Sequence, residues 1–194
     1  MGAVSQLIGR DGALTDWIDF DKGVFRVFVS ASTRCCPEKS LEEACAFLAD
    51  LEFDKFEIWI DDQIGQLPVA AVADAPEAFA TRLRDITRLS PVAFSLGSDQ
   101  ISASDFSGLT KAAKLLRITQ ITVPSAPLGT PFNAEIDRLK ELVQLGRVEG
   151  VRISIKTQSG RLTADPRNAV ELCQAVKGLG LTLDPSYYLD SPLG

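Results

Sequence analysis

The feature that most constrains the fold of this chain is a regular alternation of short apolar segments with longer amphipathic ones. Six apolar segments lie between residues 24 and 190, and a segment with helical spacing of apolar residues follows each of the first five. The apolar segments are VFRVFVSAS, KFEIWID, PVAFSLGS, TQITVPSA, VRISIKTQSG and LTLDPSYYL. Apolar strands separated by helices predict a parallel sheet covered by helices, because each crossover returns a helix to the sheet.

Capping signals mark where two of the predicted helices begin. Ser40 precedes an amphipathic segment, and Glu43 stands three residues later, as in a capping box. Asp165 is placed to cap a helix that has Pro166 at its first position. These signals predict helices soon after the first and the fifth strands.

Two architectures satisfy this alternation: a doubly wound open sheet and a (β/α)₈ barrel. The chain has no GxGxxG or P-loop motif of the kind that favours a nucleotide-binding open sheet, so the pattern favours the barrel. A full barrel usually takes about 250 residues, whereas this chain has 194. Six strands cannot close an eight-stranded wall, so we expect open edges at the first and sixth strands.

Three kinds of cover for these open edges are compatible with the sequence. The chain can be an excerpt of a longer protein, or a partner subunit can complete the wall, which includes a homo-oligomer. Alternatively, residues 1–23 form a leader whose Trp17, Ile18 and Phe20 pack against the partial barrel of residues 24–194.

Composition restricts the partners and the compartment. The chain has 20 basic and 26 acidic residues, and the net charge of −6 argues against nucleic acid as a partner. No apolar run approaches the roughly 20 residues that cross a bilayer, so we expect no membrane partner and a cytoplasmic location. The four cysteines lack paired metal-binding spacing and the chain has no histidine, which disfavours a zinc site and excludes an internal Cys–His nucleophile pair.

The segment ISIKTQSGRLTADPRNAVELCQAVKGLGLTLDPSYY resembles the xylose isomerase-like TIM barrels, which include sugar isomerases and epimerases. In that family the fifth strand ends in Glu-Thr-His, a glycine loop and a capped helix follow, and the sixth strand ends in Leu-Asp-Pro-Ser-His. The matching positions are Gly160, Leu162, Thr163, Asp165, Pro166, Leu183, Asp184, Pro185 and Ser186. The resemblance implies an α/β fold, a parallel (β/α) barrel of the xylose isomerase-like TIM type with about six of its eight βα units present.

The resemblance also implies a divalent-metal site, from which this chain departs. The family holds the metal with a glutamate and an aspartate at the ends of the fifth and sixth strands, and with a histidine and a glutamate from the last two. Here Lys156 stands at the first position, and Gln158 and Tyr187 replace the histidines of the two motifs, so only Asp184 matches a ligand. One carboxylate does not fix a catalytic divalent ion. We therefore expect no cofactor, and a divalent metal only if ligands from outside this chain complete the site.

Lys156 and Asp184 end adjacent predicted strands, so the ammonium group can supply the positive charge that a metal otherwise gives. The first interpretation is a structural pair that leaves neither charge uncompensated in the interior. The second is a catalytic set in which Lys156 forms a Schiff base, Asp184 moves protons and Tyr187 donates to an oxyanion. A nearby carboxylate argues against the second, because it raises the pKa of a lysine.

The candidates for substrate binding are Glu57, which lies on the second predicted strand, and Gln158 and Ser32, which lie toward the ends of the fifth and first. Glu57 resembles an acid that lines the family's pocket, and a structural partnership with Arg26 or Lys156 is the alternative. Trp59 is expected to pack in the core rather than to serve as a platform for a sugar.

We therefore expect a barrel domain related to sugar phosphate isomerases and epimerases that lacks their metal-dependent activity, a pseudoenzyme that binds a small polyol or sugar. The alternative is an active sugar or sugar-phosphate isomerase or epimerase whose remaining ligands lie beyond residue 194 or on another subunit.

Overall fold

The computed structural model describes residues 17–20, 23–26, 28–63 and 66–189, which contain a six-stranded sheet, a two-stranded hairpin and seven helices. The strands are β1 (Trp17–Phe20), β2 (Gly23–Arg26), β3 (Ala31–Ser32), β4 (Lys55–Ile60), β5 (Ser90–Leu96), β6 (Gln120–Pro124), β7 (Arg152–Lys156) and β8 (Gly180–Thr182). The helices are α1 (Leu41–Asp50), α2 (Ala70–Ala73), α3 (Pro76–Ile86), α4 (Ala103–Leu115), α5 (Phe132–Glu149), α6 (Pro166–Ala175) and α7 (Ser186–Leu189). Two 3₁₀ turns occupy Thr33–Cys35 and Leu162–Ala164.

The large sheet has the strand order β3-β4-β5-β6-β7-β8, and every neighbouring pair is parallel. Strands that follow one another along the chain are therefore neighbours in the sheet, as in a singly wound barrel. Among the described strands, β3 and β8 end the sheet without pairing to each other, so the barrel is open. This confirms the predicted parallel α/β architecture; the homo-oligomer that was expected to cover the opening stays a prediction.

The predicted first strand, residues 24–32, is wrong as one continuous strand. Its beginning pairs antiparallel with β1, with Val24 opposite Asp19, and only Ala31 and Ser32 join the parallel sheet. A Val- and Phe-rich segment favours an extended backbone but does not specify its partner strand. The side-chain packing expected of Trp17, Ile18 and Phe20 lies outside the described residues, and the domain boundary after residue 23 stays a prediction.

The sixth predicted strand is shorter in the structure than in the sequence pattern. β8 ends at Thr182, and Ser186–Leu189 form a helical turn. Pro185 has no backbone N–H to donate to a neighbouring strand. The Asp184 carboxylate accepts a hydrogen bond from the Ser186 backbone N–H at 3.2 Å, which starts the helical turn instead.

The hydrophobic core lies between the helices and the outer face of the sheet. Along β4, Phe56, Ile58 and Ile60 are fully buried on this outer face, whereas the alternate residues Glu57 and Trp59 are half-buried on the inner one. Burying one such apolar side chain stabilises the fold by roughly 1.5–3 kcal/mol. The alternate residues of the strand, including the polar Glu57, therefore lie on the inner face of the sheet. Within the described part of the chain, no helix combines the length and the apolar character needed to cross a membrane.

Both predicted helix caps are confirmed. The Ser40 hydroxyl accepts a hydrogen bond from the Glu43 N–H at 3.2 Å, and the Glu43 carboxylate accepts one from the Ser40 N–H at 2.8 Å. The Asp165 carboxylate accepts a hydrogen bond from the Arg167 N–H at 2.8 Å, with Pro166 at the first position of α6. These caps fix the first residues of α1 and α6, which begin soon after β3 and β7 end.

Candidate functional site

The register of the parallel strands places alternate residues of neighbouring strands side by side on the inner face. The register pairs on this face include Ser32 with Glu57, Trp59 with Ser95, Ser95 with Thr122, Thr122 with Ser154 and Lys156 with Thr182. Polar side chains therefore follow one another across the sheet, toward the carboxyl ends of the strands, where barrel enzymes carry their sites.

Three hydroxyl groups form a connected layer on this inner face. Thr122 Oγ1 lies 3.1 Å from both Ser154 Oγ and Thr182 Oγ1, and the last two are 2.8 Å apart. The Gln120 side-chain amide donates to Thr122 and Thr182 at 3.4 and 3.3 Å. Barrel interiors are usually filled by bulky branched residues. This interior is instead lined by short polar side chains that can exchange hydrogen bonds.

Lys156 and Asp184, both predicted site residues, interact through their charges rather than through a direct ion pair. Asp184 Oδ1 accepts hydrogen bonds from the Ser186 hydroxyl at 2.6 Å and from its N–H at 3.2 Å. The Ser186 hydroxyl lowers the pKa of Asp184 most, and the positive charge of Lys156 lowers that pKa further. The ion pairs among the described residues do not include Lys156 with Asp184.

Glu57 lies within the electrostatic reach of the same lysine. Burial raises the pKa of Glu57, and the Ser32 hydroxyl, the charge of Lys156 and the charge of Arg34 offset part of that rise. Four of the six predicted site residues are thus linked: Lys156 acts through its charge on Glu57 and Asp184, and Ser32 is hydrogen-bonded to Glu57. The roles predicted for them stay predictions.

Gln158, the fifth predicted residue, lines a cavity of about 340 Å³. Arg34 and Trp59 form part of the same wall, with the Arg34 guanidinium carbon 4.3 Å from the centre of the Trp59 ring. Trp59 was expected to be a core residue, but it is half-buried and contributes to a pocket. Arg34 was not predicted as a site residue, and its only signal was its position in the polar loop that follows the first strand.

The turn that carries Arg34 is held by hydrogen bonds on both sides of it. The Trp59 N–H donates to the Thr33 hydroxyl at 3.0 Å. The Gln66 side-chain amide donates to the carbonyl of Thr33 at 3.2 Å and also to the carbonyl of Cys36. The wall of the cavity is therefore preformed, because its backbone is fixed before any ligand arrives.

The sixth predicted residue, Tyr187, is half-buried, and its N–H donates to the Asp184 carbonyl at 3.4 Å. The neighbouring Tyr188 has the clearer anchoring role, because its hydroxyl donates to the Thr163 carbonyl at 3.0 Å. Burial, together with the charge of Asp165, raises the pKa of Tyr188. The predicted donation from Tyr187 to an oxyanion stays a prediction.

Two buried hydroxyls hold the backbone beneath the lysine. Thr163 Oγ1 donates to the Lys156 carbonyl at 2.8 Å, and the Ser125 hydroxyl lies 3.0 Å from Thr163 Oγ1. Thr157 Oγ1 in turn accepts from the Asp184 N–H at 2.7 Å and donates to the Asp184 carbonyl at 3.1 Å. The main chains of Lys156 and Asp184 are therefore fixed in relation to each other.

A pair of buried ionic contacts, which we call the closed network, lies next to this site and comprises Asp99, Glu135, Arg138 and Arg161. Arg138 donates to the Glu135 carboxylate from Nε at 2.7 Å and from Nη2 at 2.9 Å, and Glu135 also accepts from the Ala126 N–H at 3.0 Å. The Glu135 side chain is 0% exposed. Sequence patterning did not single out any of these four residues.

The second contact in the closed network pairs Asp99 with Arg161, which also donates to the Ser125 carbonyl at 3.1 Å. Burial alone would raise the pKa of Asp99. Hydrogen bonds from Arg161 and Gln100, and the charge of Arg161, outweigh burial, so the pKa of Asp99 is lowered. Arg138 joins the two contacts by donating to the Asp99 carbonyl at 3.3 Å.

The donor set of the site does not fit a divalent metal. Among the residues that the structure describes, no three Cys, Asp or Glu side chains are grouped so that they could hold a metal ion. Asp184, the one residue that matches a ligand of the family, is already hydrogen-bonded to Ser186 and lies in the field of the Lys156 ammonium.

No protein-family model matches this chain, and no curated protein matches it. Solved structures do. A xylose isomerase-like TIM barrel protein from Mycobacterium smegmatis in complex with magnesium superposes with a TM-score of 0.68 at 16% identity, covering 83% of this chain and 65% of that one. The probable 3-DHS dehydratase AsbF from Bacillus anthracis gives 0.61 at 14% identity, with coverages of 82% and 64%. An L-ribulose 3-epimerase gives 0.57 at 16% identity, with coverages of 78% and 57%.

These similarities confirm the predicted fold. The described strands and helices have the arrangement of a xylose isomerase-like TIM barrel, with the wall left open between β3 and β8. The chain spans 57% to 65% of the lengths of these three proteins.

Proposed function

We propose that this barrel binds a small, sugar-like polyol on its inner face and does not carry out metal-dependent isomerisation. The observation that carries the proposal is the position of Lys156 on the inner face, in register with Thr182 of the hydroxyl layer. Its positive charge lowers the pKa of Asp184 and offsets part of the rise that burial causes in the pKa of Glu57. A protein cation thus acts on two carboxyl groups of this face and can donate hydrogen bonds to a ligand.

The surroundings of Lys156 suit a polyhydroxylated molecule. Carbohydrate hydroxyls both donate and accept hydrogen bonds, and the inner face offers partners of both kinds in Ser32, Glu57 and Gln158. Gln158, two residues after Lys156, lines a cavity of about 340 Å³, which falls within the range of about 300–1,000 Å³ that is usual for small-molecule sites. A small monosaccharide is therefore the size of ligand that we expect.

Charge argues against a divalent ion at the same place. An ammonium group repels a divalent cation, and in a partly buried site this repulsion is screened less than in water. Magnesium accompanies the Mycobacterium smegmatis protein, but the described donor set of this chain does not fit that ion. Binding without metal chemistry is the function that these residues support.

The alternative is an active sugar or sugar-phosphate isomerase or epimerase. One observation favours it: the chain spans only 57% to 65% of its structural neighbours, one of which is an L-ribulose 3-epimerase. Ligands from beyond residue 194 or from another subunit would then complete a metal site around Asp184. A homo-oligomer across the open edge is one such arrangement.

Thermal melting and isothermal titration of the full chain separate the two proposals. We expect D-glucose or D-fructose to raise the melting temperature, and MnCl₂ to leave it unchanged. Lys156→Gln should weaken sugar binding about tenfold or more, because it removes a charged donor. Lys111→Gln, at an exposed position on α4, is the matched control and should bind as the unsubstituted chain does.

Two results would contradict the proposal. A rise in melting temperature with Mn²⁺ that EDTA reverses, together with epimerase activity, would establish the alternative. Unchanged sugar affinity in Lys156→Gln would remove the lysine from the binding site.

A further inference from the structure

Arg34 is a cation in the wall of the cavity, and the roles proposed above do not account for it. Its guanidinium stacks on the Trp59 ring at 4.3 Å, and both residues line the cavity. Stacking occupies one face of the guanidinium plane but leaves the N–H groups at its edge free to donate. A cation–π contact at an exposed site contributes only about 0.5–1 kcal/mol, so stability alone is a weak reason for this arrangement.

The donors of Arg34 are not used by a carboxylate of the described chain. Arg34 is absent from the ion pairs that the described residues form. Asp61 also lines the cavity, but its carboxylate accepts a hydrogen bond from the Gln63 N–H at 2.8 Å and packs against Gly97. The wall therefore presents a guanidinium that forms no ion pair within the described chain, beside an acid that accepts a hydrogen bond from backbone.

The position of Arg34 is set in advance. Thr33 and Cys36, on either side of it, are tied to the Trp59 N–H and to the Gln66 side chain. A donor that is already oriented loses less entropy when it binds, which increases its contribution to affinity.

A second cation lies on the same side of the sheet. Lys156 and Arg34 both lower the pKa of Glu57, so both lie within the electrostatic reach of that carboxyl group. Burial works in the opposite direction and disfavours the negative charge of Glu57. An anion bound in the cavity would thus meet the Arg34 cation directly, with the Lys156 cation and the burial-disfavoured charge of Glu57 farther along the same face. The Asp61 carboxylate in the cavity wall accepts a backbone hydrogen bond from Gln63.

We propose that the ligand of this barrel carries an anionic group, a carboxylate or a phosphate, which the guanidinium of Arg34 binds beside Trp59. The inference rests on the proposed function, because it names the chemical class of the ligand for the same site. A planar guanidinium matches both anions through two parallel N–H···O hydrogen bonds.

Isothermal titration of the full chain with three matched probes tests the inference: D-glucose, D-glucuronate and D-glucose 6-phosphate. We expect at least one anionic sugar to bind about tenfold more tightly than D-glucose. The better of the two anions identifies a carboxylate or a phosphate as the recognised group. Arg34→Gln should abolish the preference of the chain for the anionic sugar over D-glucose, and Arg34→Lys should retain only part of it.

Arg82→Gln, at an exposed position on α3, is the control for the loss of one positive charge and should keep the full preference. Equal affinity for all three probes would overturn the inference and leave the proposed function standing. A preference for anionic sugars that survives in Arg34→Gln would also overturn it. If none of the three sugars binds, both the inference and the proposed function fail.

Discussion

The two groups of charged side chains at the carboxyl edge of the sheet differ in how completely their hydrogen bonds are satisfied. In the closed network, Glu135 is fully buried and accepts three hydrogen bonds from Arg138 and Ala126. In the open group, formed by Arg34, Glu57, Lys156 and Asp184, no two members form a direct ion pair with each other.

This contrast separates the charges that stabilise the fold from those that are available to a ligand. Buried charges that are fully paired cannot be changed singly without leaving a partner uncompensated. Half-buried or exposed cations that form no direct ion pair keep their donors for another molecule. The closed network should therefore control stability, and the open group should control binding.

The largest expected effect comes from breaking the closed network at Glu135. Glu135→Ala leaves the half-buried Arg138 without its carboxylate and the Ala126 N–H without its acceptor, and we expect the free energy of unfolding to fall by about 3–5 kcal/mol. Urea unfolding followed by circular dichroism measures this. Glu141→Ala, at an exposed position on the same helix, should change stability by about 0.5 kcal/mol or less. Equal losses of stability in Glu135→Ala and Glu141→Ala would show that the closed network does not control stability.

A smaller loss is expected at the hydroxyl pair beneath Lys156. Thr163→Val removes the donor to the Lys156 carbonyl and one partner of Ser125. We expect a loss of about 1–3 kcal/mol, because two buried groups lose a partner. Thr119→Val, at an exposed position before β6, is the control. A Thr163→Val protein as stable as the control would show that water replaces this hydroxyl without cost.

The pH dependence of stability should have opposite signs at Asp99 of the closed network and at Glu57 of the open group. The pKa of Asp99 is lowered from 3.8, so its contribution is present above that value and is lost as the pH falls through the lowered pKa. The pKa of Glu57 is raised from 4.5, so its ionisation reduces stability as the pH rises from 4.5 through the raised pKa.

Two substitutions measure these signs. Asp99→Asn should be less stable than the unsubstituted chain at pH 7, with the difference shrinking as the pH falls below 3.8. Glu57→Gln should gain stability relative to the unsubstituted chain between pH 4 and pH 7, whereas Glu77→Gln, which is exposed on α3, should not. Thermal melts across the pH range give the melting temperature of each variant as a function of pH. If the curves of Glu57→Gln and of the unsubstituted chain run parallel, the pKa of Glu57 is not raised by folding.

The smallest effect on stability is expected from the cations of the open group. Arg34→Gln should change the free energy of unfolding by about 0.5–1 kcal/mol or less, which corresponds to one exposed cation–π contact. Its effect on sugar affinity should exceed its effect on stability. A fall in the free energy of unfolding comparable to that of Glu135→Ala would show that Arg34 stabilises the fold as the closed network does.

Much of the fold could be predicted because the relevant signals are local. Alternation in segments such as Lys55–Ile60 and the caps at Ser40 and Asp165 depend on residues a few positions apart. Partner choice is not local, which explains why the segment of residues 24–32 was interpreted as one strand although its first three residues pair with β1.

The candidate site was predicted where parallel strands place their ends side by side. Glu57, Lys156 and Asp184 follow from that register together with the resemblance to a known motif. Arg34 lies on a 3₁₀ turn, which has no periodicity to mark it. The contact between Asp99 and Arg161 joins residues 62 positions apart, a separation that no local pattern reveals.

The hydroxyl layer of Thr122, Ser154 and Thr182 lowers the cost of hydrating the interior of an open barrel. A lumen lined by valine, isoleucine and leucine would lose roughly 25 cal/mol for each Å² of apolar surface left wet. Hydroxyl groups exchange hydrogen bonds with water as readily as with one another, so hydration of this lumen costs little. A partial barrel built in this way can tolerate solvent in its interior.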